Sequence, residues 1–130
     1  MTLLKSIMRQ LFGVLDYLHQ NKICHRDLKP DNILIRSDIQ GTDLDEDKVT
    51  VKVIDFNVAV DLRNGDCMIK GGTGLREWSA PETRKSLYSD VKIDCWTLGC
   101  IMFLLCTGNK LFNQNDEITM RSSSYLKKEL

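Results

Sequence analysis

Within the run HRDLKPDN, residues 25–32, the side chains Asp27, Lys29 and Asn32 stand at offsets that suit phosphoryl transfer. That chemistry uses a carboxylate to accept or orient the proton of an attacking hydroxyl, a cation over the transferring phosphoryl, and an amide oxygen able to ligate magnesium. A fourth group, Asp55, follows the apolar run Val51, Val53, Ile54 and supplies the oxygen ligand that a hard cation prefers. Phe56 comes next, and Ala80, Pro81 and Glu82 follow one loop later.

Groups that act together need rigid supports. Leu4, Ile7, Met8, Leu11, Leu15 and Leu18 recur at three- and four-residue steps, which predicts a helix ending near Asn21 and delivering the chain to His25. Ile33, Leu34 and Ile35 form a short apolar run, and Val49, Val51 and Val53 alternate with Thr50 and Lys52, so the two read as partner strands of a hairpin. Residues 36–48 between them are polar, acidic and aperiodic, as a solvated excursion would be. Asp43, Asp45 and Asp47 imitate the opening of a calcium loop, but Lys48 stands where the sharp turn needs glycine and Ile54 where the bidentate glutamate belongs.

Residues 58–79 hold Gly65, Gly71, Gly72 and Gly74 with little periodicity, the composition of a loop. Ser89 is the expected N-cap of a helix running from Asp90 to about Thr107 and stopped by Gly108. Its apolar run, residues 96–106, is too short to span a bilayer and reads as a buried core helix. Beyond Phe112 the chain is polar, with Ser122, Ser123 and Ser124.

At 130 residues, 42% apolar and 28% charged, the chain has the size and composition of one globular domain. Eighteen basic and eighteen acidic side chains cancel, so neither nucleic acid nor membrane is expected as a partner. Five cysteines, an odd count without a C-x-x-C pair, speak against a disulfide framework or zinc site and for a cytoplasmic or nuclear location. No secretory signal is expected, because Met1 opens directly onto the amphipathic segment. The sequence sets no oligomeric state.

The loop at 25–32, the pair Asp55-Phe56 and the triplet at 80–82 come in the order of the HRD, DFG and APE motifs, and together they resemble the C-terminal lobe of a eukaryotic-type protein kinase. The resemblance implies ATP and Mg2+ as cofactors and a protein substrate. It implies Asp27 as the catalytic acceptor of the hydroxyl proton and Lys29 as the cation that neutralises developing charge. Asn32 and Asp55 would hold metal, and Leu34 would form part of the floor under adenine. Phe56 would pack on His25, itself a packing and hydrogen-bonding residue. Arg26 would receive a phosphate on the activation segment, with Thr73 as its acceptor. Asp94, twelve positions after Glu82, would tether the catalytic-loop backbone; read from the sequence alone, it is equally a helix first-turn acid. Lysine at position 29 leans toward serine/threonine acceptors.

Several positions depart from the family pattern. Asn57 replaces the glycine of DFG, Leu75 stands where threonine is usual, and Trp78 where tyrosine is. No glycine-rich loop, V-A-I-K lysine or αC glutamate precedes the first helix, and the arginine that normally pairs with the APE glutamate is not recognisable, so Glu82 is expected to lack its partner. The expected fold is therefore α+β, a mainly helical kinase C-lobe fragment with a short β-hairpin carrying the catalytic and DFG-like loops, the N-lobe and last C-lobe helices being absent. Residues 1–112 would form the partial kinase domain and 113–130 a polar tail. Serine/threonine kinase activity is the expected function, negligible in this chain alone; a pseudokinase or scaffold lobe is the alternative.

Overall fold

Helix α1 spans Thr2–Gln20, and its predicted apolar face is the one that faces inward: Ile7, Met8, Leu11, Leu15 and Leu18 are buried. In this computed structural model residues 2–37, 49–63, 77–85 and 90–113 are described. The chain leaves α1 through Lys22, at φ 58°, a left-handed position that usually falls to glycine. The Lys22 N–H bonds the His19 carbonyl at 3.0 Å, and the Lys22 carbonyl accepts Leu62 N–H at 2.8 Å.

Strand β1 (Ile23–Cys24) then enters the loop at 25–32, which ends in a 3-10 turn, Pro30–Asn32. The fixed φ of proline suits the first position of that turn. Next come β2 (Ile33–Ser37), β3 (Val49–Val53), β4 (Val60–Asp61), a second 3-10 turn at Pro81–Lys85, and α2 (Lys92–Thr107). The strands make two small antiparallel sheets. β1 pairs with β4, setting Cys24 opposite Val60. β2 pairs with β3 from Ile33 opposite Val53 to Ser37 opposite Val49, the hairpin anticipated from the alternating valines.

The main core lies between α1, the hairpin and α2, where Ile7, Met8, Leu11, Leu15, Leu28, Val49, Val51 and Leu98 cluster. Burying each of the larger of these side chains contributes about 1.5–3 kcal/mol. The Gln10 amide adds a polar pin from α1: its Nε2 donates to the Val49 carbonyl at 2.9 Å and its Oε1 accepts Val51 N–H at 3.0 Å. It thus satisfies two backbone groups on the β3 edge that faces away from β2.

Two expectations for α2 need correction. The helix begins at Lys92, two residues late, and Val91 precedes it in helical geometry without a side-chain cap. Asp90 prepares the start, because its Oδ1 accepts Val91 N–H at 2.6 Å and its carbonyl accepts Ile93 N–H at 3.1 Å. Secondly, α2 is not buried all round. Ile93, Asp94, Thr97, Leu98, Cys100 and Ile101 are interior, but Met102, Phe103 and Leu105 are 37–43% exposed. A helix apolar on every side carries no phase in its sequence, so periodicity cannot say which side its neighbours cover. The stop at Gly108 is as expected, with φ 73° and its N–H on the Leu104 carbonyl at 2.8 Å.

Among the described residues no helix is long and apolar enough to cross a membrane. The acidic stretch at 38–48, Thr73, Leu75, Ser89 and the polar tail beyond residue 113 lie outside the described residues.

Candidate active site

The loop at 25–32 hangs from one buried carboxylate. Asp94, only 1% exposed in the first turn of α2, accepts His25 N–H through Oδ2 at 2.8 Å and Arg26 N–H through Oδ1 at 3.0 Å. Those bonds hold Arg26 at φ 71°, a left-handed conformation that is costly for a side chain of this size. Arg26 Nη1 also reaches the Val58 carbonyl at 3.4 Å. The tether anticipated for Asp94 is therefore present. Asp94 has a further neighbour that the spacing did not disclose: His19 of α1 brings its Nε2 to 3.6 Å from Oδ2, too far for a hydrogen bond. The same environment acts on Cys24, whose thiol is pushed far up by burial and, secondarily, by the Asp94 carboxylate.

His25 is fully buried and joins the two halves of the site. Its Nδ1 lies 3.3 Å from the Asp27 amide and its Nε2 3.0 Å from the Ile54 carbonyl. An amide N–H only donates, so Nδ1 is the acceptor, and Nε2 carries the proton given to Ile54. The Phe56 ring lies against the imidazole, centroids 4.7 Å apart and tilted by 60°. His25 is thus a packing and hydrogen-bonding residue that ties the loop to the peptide preceding Asp55.

Asp27, Lys29 and Asn32 are in direct contact. Lys29 Nζ is 2.8 Å from Asp27 Oδ2, and this hydrogen bond raises the lysine above its ordinary pKa, with Asp31 and Asp55 adding to the effect. Asn32 Nδ2 donates to the Asp27 carbonyl at 2.7 Å and to Asp27 Oδ2 at 3.1 Å. With its nitrogen committed, Asn32 keeps Oδ1, the atom a hard cation would use. Asp27 likewise has Oδ2 held by two donors, Lys29 Nζ and Asn32 Nδ2.

Asp55 is brought to this group by the hairpin. Ile54 N–H donates to the Asn32 carbonyl at 2.9 Å, which carries the β2–β3 ladder one step further. Asp55 itself is exposed at φ 64°, a left-handed position that aspartate tolerates better than most residues. Its Oδ1 accepts Asn57 N–H at 3.3 Å. Asn57 is not among the residues with positive φ, so the freedom for which glycine is used in this motif is not drawn on in this conformation. The four groups differ in exposure: Asp27 and Lys29 are 16% and 23% exposed, Asp55 is more so, and Asn32 is buried. An exposed Asp55 carboxylate and the uncommitted Asn32 oxygen fit a magnesium ion by ligand chemistry.

Leu34 is half exposed and lines, with Ile35, Arg36 and Lys52, a depression of 570 Å³ on the hairpin. Glu82 is exposed, so it is not a dehydrated acid in want of a counter-charge. One contact had no signal in the sequence: Lys110, in the turn after α2, is 2.8 Å from the buried Glu77. Nothing in their types or their separation along the chain points to that pair.

Residues 1–129 match the family model for the protein kinase domain. The chain is 37% identical over 114 residues to calcium-dependent protein kinase 6 of Plasmodium berghei (strain Anka), covering 88% of this chain and 7% of that protein. It is 32% identical over 103 residues to a probable myosin light chain kinase of Dictyostelium discoideum, covering 79% and 24%. With sperm motility kinase 2B of Mus musculus it shares 34% over 110 residues, covering 84% and 20%. The chain belongs to the eukaryotic-type protein kinase family. It spans 7–24% of the length of these relatives.

Proposed function

We propose that this chain supplies the catalytic-loop portion, residues 1–112, of a serine/threonine protein kinase that moves the γ-phosphoryl of Mg-ATP to a protein hydroxyl, with 113–130 as a polar tail outside the machinery. The observation that carries the reading is the contact of Asp27, Lys29 and Asn32 on a loop whose backbone is fixed by Asp94 and whose far end is bonded to the peptide before Asp55. Asp27 Oδ1 takes or orients the acceptor proton. Lys29, kept cationic by Asp27, sits where charge builds on the transferring group. Asn32 and Asp55 offer oxygen to magnesium, which when bound offsets the triphosphate charge. Leu34 offers an apolar surface to the base.

Lysine at position 29 supports serine and threonine as acceptors. Arg26, whose guanidinium reaches toward Val58 at the entry to the activation segment, is the receptor for a phosphate on Thr73. The four described cysteines are free thiols, which favours the reducing cytoplasm or nucleus. The test is Mg-ATP-dependent phosphate transfer by the full reading frame and by its Asp27→Asn variant. A loss of about a hundredfold or more is expected for removal of an acid–base group, and equal rates would take Asp27 out of the mechanism.

A further inference from the structure

The strip Glu77, Trp78, Ser79, Ala80, leading into the second 3-10 turn, is fastened from α2 and the turn that follows it. Glu77 is 6% exposed, and its Oε1 accepts from Lys110 Nζ at 2.8 Å. The same ammonium stands 5.9 Å from the centroid of the Trp78 ring. Thr97 Oγ1 donates to the Trp78 carbonyl at 2.9 Å. Trp78 clusters with Cys100 and Ile101, with Phe112 packed against them, and Phe112 stacks on Trp96 at 5.6 Å and 9°. The turn after α2 thus folds back and straps the strip down. A carboxylate as buried as Glu77 needs a counter-charge. Lys110, its side chain about half exposed, supplies one.

The place of this strip relative to the catalytic loop gives the strap a use. Ala80 at its end clusters with Cys24 and Ile93, at the start of the loop. Asn32, Leu34 and Asp55, the groups assigned to the nucleotide, belong to the other end of the loop and the hairpin that follows it, where Ile33 packs against the Trp78 cluster. In-line transfer sets the attacking oxygen opposite the leaving one. With the nucleotide at the hairpin, the acceptor chain approaches across the strip. We propose that Lys110 is a positioning residue for the protein acceptor, holding the strip in register with Asp27 through Glu77 and Trp78. The proposal rests on the phosphoryl-transfer reading above.

The test compares Lys110→Met, Lys110→Arg and the double variant Glu77→Gln/Lys110→Met in the full reading frame, by two measurements. In the first, tryptic cleavage after Arg76, the bond that adjoins Glu77, rises about tenfold in Lys110→Met through local opening of the strip. Lys110→Arg stays near the parent rate, and the double variant recovers part of the protection. In the second, with dephosphorylated casein as acceptor, Lys110→Met raises KM for casein about fivefold and leaves KM for ATP unchanged, and Lys110→Arg restores it.

Unchanged cleavage in Lys110→Met overturns the strap, whatever the activity. Faster cleavage with casein and ATP constants altered alike overturns the positioning role while leaving phosphoryl transfer intact. A parent protein that transfers no phosphate overturns the kinase reading and the acceptor role together, and the cleavage rates then still decide whether the strap exists.

Discussion

The segment at 25–32 is built around atoms that solvent does not reach, whereas Asp55, Phe56 and Asn57 stand on the surface. On the first side Asp94, His25 and Asn32 are all buried, and the bonds from the His25 and Arg26 amides to Asp94 and from His25 to the Ile54 carbonyl join the loop to other elements. On the second side the bonds are local, Asn57 N–H to Asp55 Oδ1 and Ala59 N–H to the Phe56 carbonyl, and the ring of Phe56 is 44% exposed. Under the proposed function the difference would give the two sides different tasks. A group that must meet a hydroxyl in one geometry benefits from a scaffold set before substrate arrives. Groups that take up a cation and a flexible triphosphate benefit from a segment that adjusts.

The largest effect that would break this contrast lies at Asp94. Asp94→Ala leaves the His25 and Arg26 amides without their acceptor in the interior, and a loss of about 3–5 kcal/mol is expected, read from urea unfolding midpoints. A loss below about 1 kcal/mol would mean that the loop is not hung from this carboxylate. Next in size is a matched pair across the two sides. Asn32→Leu removes both bonds to Asp27 and should cost about 1–3 kcal/mol, while Asp55→Asn, exposed and still tolerant of positive φ, should stay within about 0.5 kcal/mol. Similar losses at both positions would abolish the distinction.

A smaller effect concerns pH. Burial pushes the Cys24 thiol far up and the Cys100 thiol up to about 11, from an ordinary 9.0. The folded state therefore keeps protons that the unfolded chain releases, so stability is full below the unfolded value and is lost as pH rises above it. Unfolding midpoints should fall between pH 9 and 11, and the fall should be shallower in Cys100→Ala, with Lys29 adding a loss of the same sign at still higher pH. A flat profile over that range would show the thiols to be accessible to solvent.

How much of this was legible in the sequence depended on whether the deciding contact was local. The face of α1, the pairing of the valine strand and the glycine stop of α2 follow from short periods and single-residue conformational preferences, and they came out as read. The catalytic triplet was legible because its three side chains share one eight-residue run. Asp94 was placed by resemblance alone, since its first-turn position fits an ordinary helix as well. The exposed side of α2, the Gln10 pin on β3 and the Lys110–Glu77 pair were not legible. Each is decided by which distant surface comes to rest against it, and composition is silent on that.

The smallest expected effect is the most informative about the pliant side. Asparagine in place of the DFG glycine suggests a turn with altered dynamics, and with Leu75 and the missing N-lobe it is one of three grounds for reading the chain as a scaffold. In the structure the left-handed residue of the turn is Asp55, at φ 64°, and not Asn57. Asn57→Gly then relieves no strain here and chiefly adds freedom to the unfolded chain, at a cost of about 0.5–1 kcal/mol. Phosphate transfer should change by less than about threefold, because no group of the active arrangement moves. An increase well beyond that would mean that catalysis passes through a conformation with positive φ at residue 57, one that asparagine reaches with difficulty. The pliant side would then be a brake rather than an adjustable clamp, and the scaffold reading would gain support.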